Sequence, residues 1–155
     1  MVKNLLSTVA GYYDYIVIDT PPALNILTVN AYAASDYLII PMVPEILSLL
    51  GVAQIKETIN TVRASVNPEL VVLGILLNKY NPRTLLSKEV EEMAQNIASQ
   101  IGTKVFDTHI RSSVSVAEAP AQGENLLDYA PRSKPAADYK NLAAEITELV
   151  RQRSH

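Results

Sequence analysis

The sequence contains no cysteine. That excludes disulfides, thiolate nucleophiles and cysteine-ligated zinc, and it fits a reducing, cytoplasmic compartment. Its two histidines, His109 and His155, stand far apart and announce no metal-ligand cluster. No apolar run approaches the roughly 20 residues of a membrane span. The stretch Met1-Val2-Lys3-Asn4-Leu5-Leu6 lacks the pattern of a signal peptide. Five glycines, Gly11, Gly51, Gly74, Gly102 and Gly123, are scattered singly, and no G-x-x-x-x-G-K-[ST] phosphate loop occurs. Internal repeats and low-complexity tracts are absent. The formal net charge of −3 does not announce a nucleic-acid binder, although a local basic face is compatible with it.

What is present suits a folded chain. Of 155 residues, 48% are hydrophobic, which excludes disorder. No stretch reads as a linker, so a single domain over residues 1–155 is expected. The organising stretch is Asp14-Tyr15-Ile16-Val17-Ile18-Asp19-Thr20-Pro21-Pro22. Its apolar run, ended by an acid and two prolines, predicts a fully buried strand. Ligands of parallel α/β sheets bind beyond the carboxyl ends of the strands, which singles out Asp19.

The rest of the chain alternates. Leu5, Leu6 and Val9 suggest a short helix stopped by Gly11. A helix is expected over residues 23–34, then a strand over 37–41, with Pro41 and Pro44 bracketing a loop. Ser48 reads as the cap of an amphipathic helix through Val66. A third strand is expected over residues 70–78, and a helical stripe from Leu86 to Ile101 closed by Gly102. A short fourth strand, Lys104-Val105-Phe106, leads through a loop over 107–113 to a small helix around 114–121. Residues 126–131 read as extended or loop, and Tyr139 to Val150 as a terminal helix. Such alternation implies an α/β fold, a mostly parallel sheet flanked by helices.

Four segments carry a family resemblance. Tyr13-Asp14-Tyr15-Ile16-Val17-Ile18-Asp19-Thr20-Pro21-Pro22 resembles the Walker B and switch segment of deviant-Walker P-loop ATPases. Ala34-Ser35-Asp36-Tyr37-Leu38-Ile39-Ile40-Pro41 is similar to the strand that follows it there. Ala117-Glu118-Ala119-Pro120 with Gly123 resembles the family's short helix. Tyr129 to Tyr139 resembles the entry to its last helix. In this order they resemble the ParA/Soj family of plasmid and chromosome partitioning ATPases, within the ParA/MinD-like P-loop NTPase fold.

The resemblance implies an ATP-dependent switch. In the family ATP drives a sandwich homodimer that binds DNA non-specifically, and a ParB-type partner stimulates hydrolysis. Location in the cytoplasm, on the nucleoid and not on a membrane, follows from the same likeness. Carried onto this chain, Asp19 would be the catalytic acid and hold Mg2+ through water, as suits a cation that keeps its waters. Thr20, Pro21 and Pro22 would sense the γ-phosphate. Asn78 would read the adenine edge, its amide offering donor and acceptor. Thr108 and Arg111 would flank the base. Arg111, Arg132, Lys134 and Lys140 would contribute to a DNA face, while the family's DNA arginine aligns with Ser115. Blander readings stand beside these. Asp19 and Asn78 also suit turns, Glu118 and the basic residues suit a solvated surface, and His109 a loop. Tyr12, Tyr13 and Tyr15 suit packing beside the strand. Core packing explains the apolar face of the last helix, whose Glu145 and Glu148 disfavour anionic lipid.

The family's glycine- and lysine-rich phosphate loop has no counterpart in these residues. The expectation is therefore the C-terminal part of a ParA-type ATPase domain, incomplete at its N-terminal part. Such a chain would be inactive alone and would bind ATP and Mg2+ weakly or not at all. The expected strand at residues 14–19 would then have an unpaired apolar edge. The alternative is a non-enzymatic module that docks on a ParA- or ParB-type partner. A bacterial tyrosine-kinase-like ATPase ranks behind both, because the tail Arg151-Gln152-Arg153-Ser154-His155 has no tyrosines.

Overall fold

A computed structural model describes residues 2–21, 25–43 and 47–153, except the side chains of residues 47–53. The expected alternation is there. Helices α1 (Val2–Leu6) and α2 (Ile26–Ala34) precede strand β1 (Tyr37–Met42). Helix α3 (Leu47–Ser65) leads to β2 (Val71–Tyr80), and α4 (Leu85–Ile101) to β3 (Ile110–Arg111). Then come α5 (Val114–Ala121), α6 (Leu126–Tyr129) and α7 (Lys134–Arg153). The sheet order is β1-β2-β3, and β3 runs parallel to β2. This is an α/β fold with a small parallel sheet.

Tertiary contacts divide the chain into two compact units. The first comprises Met1–Leu38 and Leu49–Val72, the second Ile39–Ser48 and Leu73–His155. In the first unit Asn25 caps α2, its Oδ1 accepting from the amides of Leu27 at 2.9 Å and Thr28 at 3.4 Å. The Asn67 amide, just beyond α3, donates to the carbonyls of Tyr32 and Ser35, which ties the end of α2 to the end of α3. Ala31, Tyr32, Ile59, Val62 and Leu70 are buried there. Ser48, expected as the cap of α3, lies inside that helix, with its side chain outside the described residues; Pro44 also lies outside them.

The expected first strand is corrected. Residues 13–21 form no strand, and no backbone hydrogen bond joins them to another described residue. Val17 is 92% exposed, and Tyr12, Tyr13 and Tyr15 are exposed instead of packed. The physical reason is pairing. A strand exists through its ladder, and no other described residue bonds to these N–H and C=O groups.

The second unit holds the main core. β2 is apolar on both faces, with Val72 to Leu77 continuously buried, as a central parallel strand requires. Pro41 sits within edge strand β1, where a missing N–H is tolerated. Gly74 is where the backbone needs room: a Cβ would lie 2.8 Å from the Phe106 ring. Helix α4 starts at Thr84, whose Oγ1 accepts the Ser87 N–H, and ends at Gly102 with φ +75°. It buries Val90, Ala94 and Ala98, while Leu86 and Met93 of the expected stripe stay exposed. Residues 126–129 turn once as α6 because Asn125 Oδ1 accepts the Leu127 N–H, a correction to the expected loop. Helix α7 begins five residues before Tyr139, with Ser133 Oγ accepting the Ala136 N–H.

The expected fourth strand is shorter than read. Only Val105 pairs with β2, opposite Ile75, with the Phe106 N–H donating to the Ile75 carbonyl at 2.9 Å. Pairing resumes at Ile110, opposite Asn78. Residues 107–109 leave the ladder, and this excursion builds the site.

Candidate functional site

A cavity of about 300 Å3 lies in the second unit, lined by Tyr80, Pro82, Asp107, Thr108, His109, Arg111, Asp138 and Asn141. It sits where β2 and β3 end, the carboxyl end expected of parallel strands. Its size is at the lower end for small-molecule pockets. The Tyr80 and His109 rings pack with centroids 4.5 Å apart at 58°, a favourable tilted geometry. The Tyr80 hydroxyl donates to Glu91 Oε2 at 2.6 Å. That hydrogen bond, helped by desolvation and the carboxylate charge, pushes the phenol pKa up to about 12, so Tyr80 remains a neutral donor at physiological pH.

Two carboxylates of α7 shape the loop over residues 107–111. Glu145 accepts from the backbone N–H groups of Asp107 and Thr108 and from Lys104 Nζ, each at 3.0 Å. Asp138 accepts from the Arg111 backbone N–H at 3.1 Å and from Arg111 Nε at 2.8 Å, and Arg111 Nη2 closes the pair. Burial by itself would raise both carboxyl pKa values. For Asp138 the Arg111 bonds outweigh it, and for Glu145 the loop amides and Lys104 do, so both lie below their ordinary values.

β2 is bulged just before the cavity. Asn78 pairs with Ile110 and Tyr80 with Arg111, which leaves Lys79 between them at φ +53°. Asn78 Oδ1 accepts the Lys79 N–H at 2.9 Å. This aims the Tyr80 ring at His109, and Asn78 itself is not among the residues lining the cavity.

The structure thus brings together Thr108 and Arg111 of the expected site residues. Asp19, Thr20 and Pro21 lie in the first unit, with Asp19 and Pro21 exposed and Thr20 half-buried; Pro22 is outside the described residues. Arg132, Lys134 and Lys140 are exposed. Tyr80, His109, Asp138, Asn141 and Glu145 were not legible as site residues. One signal existed: Asp138 and Glu145 are two helical turns apart, hence on one face. No group of three or more His, Asp or Glu able to hold a metal occurs among the described residues. A lone exposed carboxylate such as Asp19 fits Mg2+ only through water, not as an enclosed site.

Comparison with known proteins now has a structure to attach to. A family model described as an AAA domain matches residues 1–72. The chromosome-partitioning ATPase Soj of Thermus thermophilus is 41% identical over 140 residues, covering 90% of this chain and 55% of that protein. The chromosome partitioning protein ParA of Caulobacter vibrioides is 39% identical over 143 residues, covering 92% and 52%. Among solved structures, cobyrinic acid a,c-diamide synthase from Mycobacterium smegmatis with bound ADP and magnesium superposes with TM-score 0.73 at 29% identity, covering 92% of this chain and 50% of that one. A ParA family ATPase from Chlorobium tepidum superposes with TM-score 0.67 at 22% identity, covering 88% and 52%, a likeness of fold. The chain spans about half the length of the curated relatives it matches. Over about nine tenths of its own length, it is a homologue of the ParA/Soj chromosome-partitioning ATPases.

Proposed function

We propose that this chain carries the magnesium-holding acid and the base-binding cavity of an ATP-driven DNA-partitioning switch. Phosphate binding comes from outside these 155 residues, which contain no glycine- and lysine-rich loop. The observation that carries this reading is the identity of about 40% to Soj and ParA over 140 residues or more. In this reading Asp19 holds Mg2+ through water, Thr20, Pro21 and Pro22 follow the γ-phosphate, and the adenine lies beside Tyr80, Thr108 and His109, with Asn78 serving its edge from outside the cavity lining. Asp138 draws the Arg111 guanidinium into the loop, so the DNA face falls to Arg132, Lys134 and Lys140, whose charge suffices for phosphate contacts. The switch works as a homodimer with a ParB-type partner, in the cytoplasm on the nucleoid. No helix among the described residues is long and apolar enough to cross a membrane.

Bound nucleotide would supply the free energy that separates the two states of the switch. This chain's own residues would orient the base and keep one carboxylate ready for the cation. Calorimetry with a non-hydrolysable ATP analogue and Mg2+ on the 155-residue chain should show weak binding, no tighter than that of adenosine and independent of magnesium; tight, magnesium-dependent binding would overturn the division of labour. A chain extended with the phosphate loop should bind DNA only with ATP, and Asp19→Ala should abolish its hydrolysis.

A second reading, a non-enzymatic module that docks on a ParA- or ParB-type partner, is favoured by one observation. Residues 13–21 offer apolar side chains together with backbone groups that have no hydrogen bond to another described residue, the features that accept an added strand. Under this reading the extended chain shows no DNA binding even at low salt.

A further inference from the structure

We propose that α7 sets the shape of the cavity: Asp138 and Glu145 are positioning residues that clamp the segment around residues 107–109, which leaves the β2 ladder, and so make the cavity wall. The ligand half of this inference rests on the base-site reading above; the positioning half does not.

Between Ile75 and Asn78, β2 advances three residues while the neighbouring segment advances from Val105 to Ile110. The edge segment therefore carries two residues more than a regular ladder accommodates. Their amides need other acceptors, because an unpaired N–H held away from water is costly. Glu145 takes two of them, those of Asp107 and Thr108, and Lys104 Nζ as well. Its side chain is only 15% exposed, so it is committed to the loop and does not face solvent. Asp138 takes the Arg111 amide and its guanidinium at the other end of the excursion. The lengths match. Seven residues of α-helix rise about 10 Å, and the four residue steps from Asp107 to Arg111 span at most about 14 Å. Two carboxylates two turns apart thus clamp both ends of the loop. Between the clamps lies His109, whose ring packs on Tyr80. By contrast Glu148, one turn further along, bonds only to Arg151 and Gln152 of its own helix.

The test uses the full 155-residue chain, amide exchange and ring-proton shifts by NMR, and adenosine as probe. In Glu145→Gln the neutral amide oxygen cannot hold two amides and a lysine. Exchange of the Asp107 and Thr108 amides should rise at least about ten-fold. The His109 ring protons should lose the shift imposed by the Tyr80 ring, and adenosine should bind several-fold more weakly. The Ile75 and Leu77 amides of β2 should keep their exchange rates. Glu148→Gln should change none of these. Glu145→Asp keeps the charge but shortens the reach, and should loosen the same two amides to a lesser degree; it decides the matter if Glu145→Gln does not fold. Unchanged exchange and unchanged His109 shifts in a folded variant overturn the positioning role. A loosened loop with unaltered adenosine affinity overturns the link from loop to cavity. If the unaltered chain takes up no adenosine, the base-site reading fails by itself, and the exchange rates and ring shifts still decide the positioning claim.

Discussion

Residues 13–21 and the segment 107–111, whose first three residues leave the ladder and whose last two form β3, both carry expected site residues, and the chain treats them in opposite ways. The first is largely apolar and mostly exposed, with no backbone hydrogen bond to another described residue. The second is short and polar, and its amides at 107, 108 and 111 are all taken by carboxylates of α7. Apolar character alone therefore does not make a segment a strand. What fixes a segment's backbone is a partner for its N–H and C=O groups at the right distance, and for residues 107, 108 and 111 α7 supplies it.

Three measurements would break or sharpen this contrast. The largest effect is expected at Phe106, which is buried against Gly74 and leads into the ordered loop. Phe106→Ala should cost about 3–5 kcal/mol in urea unfolding. A loss near zero would mean that the ordered loop does not rest on a packed base. Next is acid. Asp138 and Glu145 have folded pKa values below their ordinary 3.8 and 4.5. Their stabilisation is fully present above about pH 5 and is lost as pH falls through the folded values. Thermal melts from about pH 5 downwards should therefore show Tm falling, and Asp138→Asn with Glu145→Gln should flatten that slope. An equal slope in the double variant would remove the carboxylates as the cause. The smallest effect belongs to the other segment. Val17→Ala should change stability by less than about 0.5 kcal/mol, because the side chain is already in water. A cost of several kcal/mol would show that residues 13–21 pack after all, and the two segments would no longer differ in kind.

The elements that rest on local chemistry were legible. The end of α4 at Gly102 needs only a left-handed residue after a periodic stripe, and α5 stands where a small helix around residues 114–121 is expected. The mistakes share a cause. The run Tyr15 to Ile18 has the composition of a strand, but pairing depends on another segment of chain. α6 was hidden because two leucines before an acid look extended until the Asn125 cap is seen. At the site, Thr108 and Arg111 were reached through the family likeness. In the sequence Glu145 counts only as a charge that disfavours anionic lipid, because a carboxylate in a helix gives no sign of which loop it meets.

By itself the sequence determined the alternation of helices and strands, the strand at β2, the lack of a phosphate loop in these residues and the likeness to ParA/Soj ATPases. These follow from periodicity, composition and short motifs, which are properties of neighbouring residues. Only the tertiary structure decided that residues 13–21 find no backbone partner among the described residues, that two extra residues bow the chain out beside β2, and that Asp138 and Glu145 catch that bow. The last depends on groups 27 to 38 positions apart meeting at hydrogen-bond distance, and separation along the chain carries no distance information until the chain is folded.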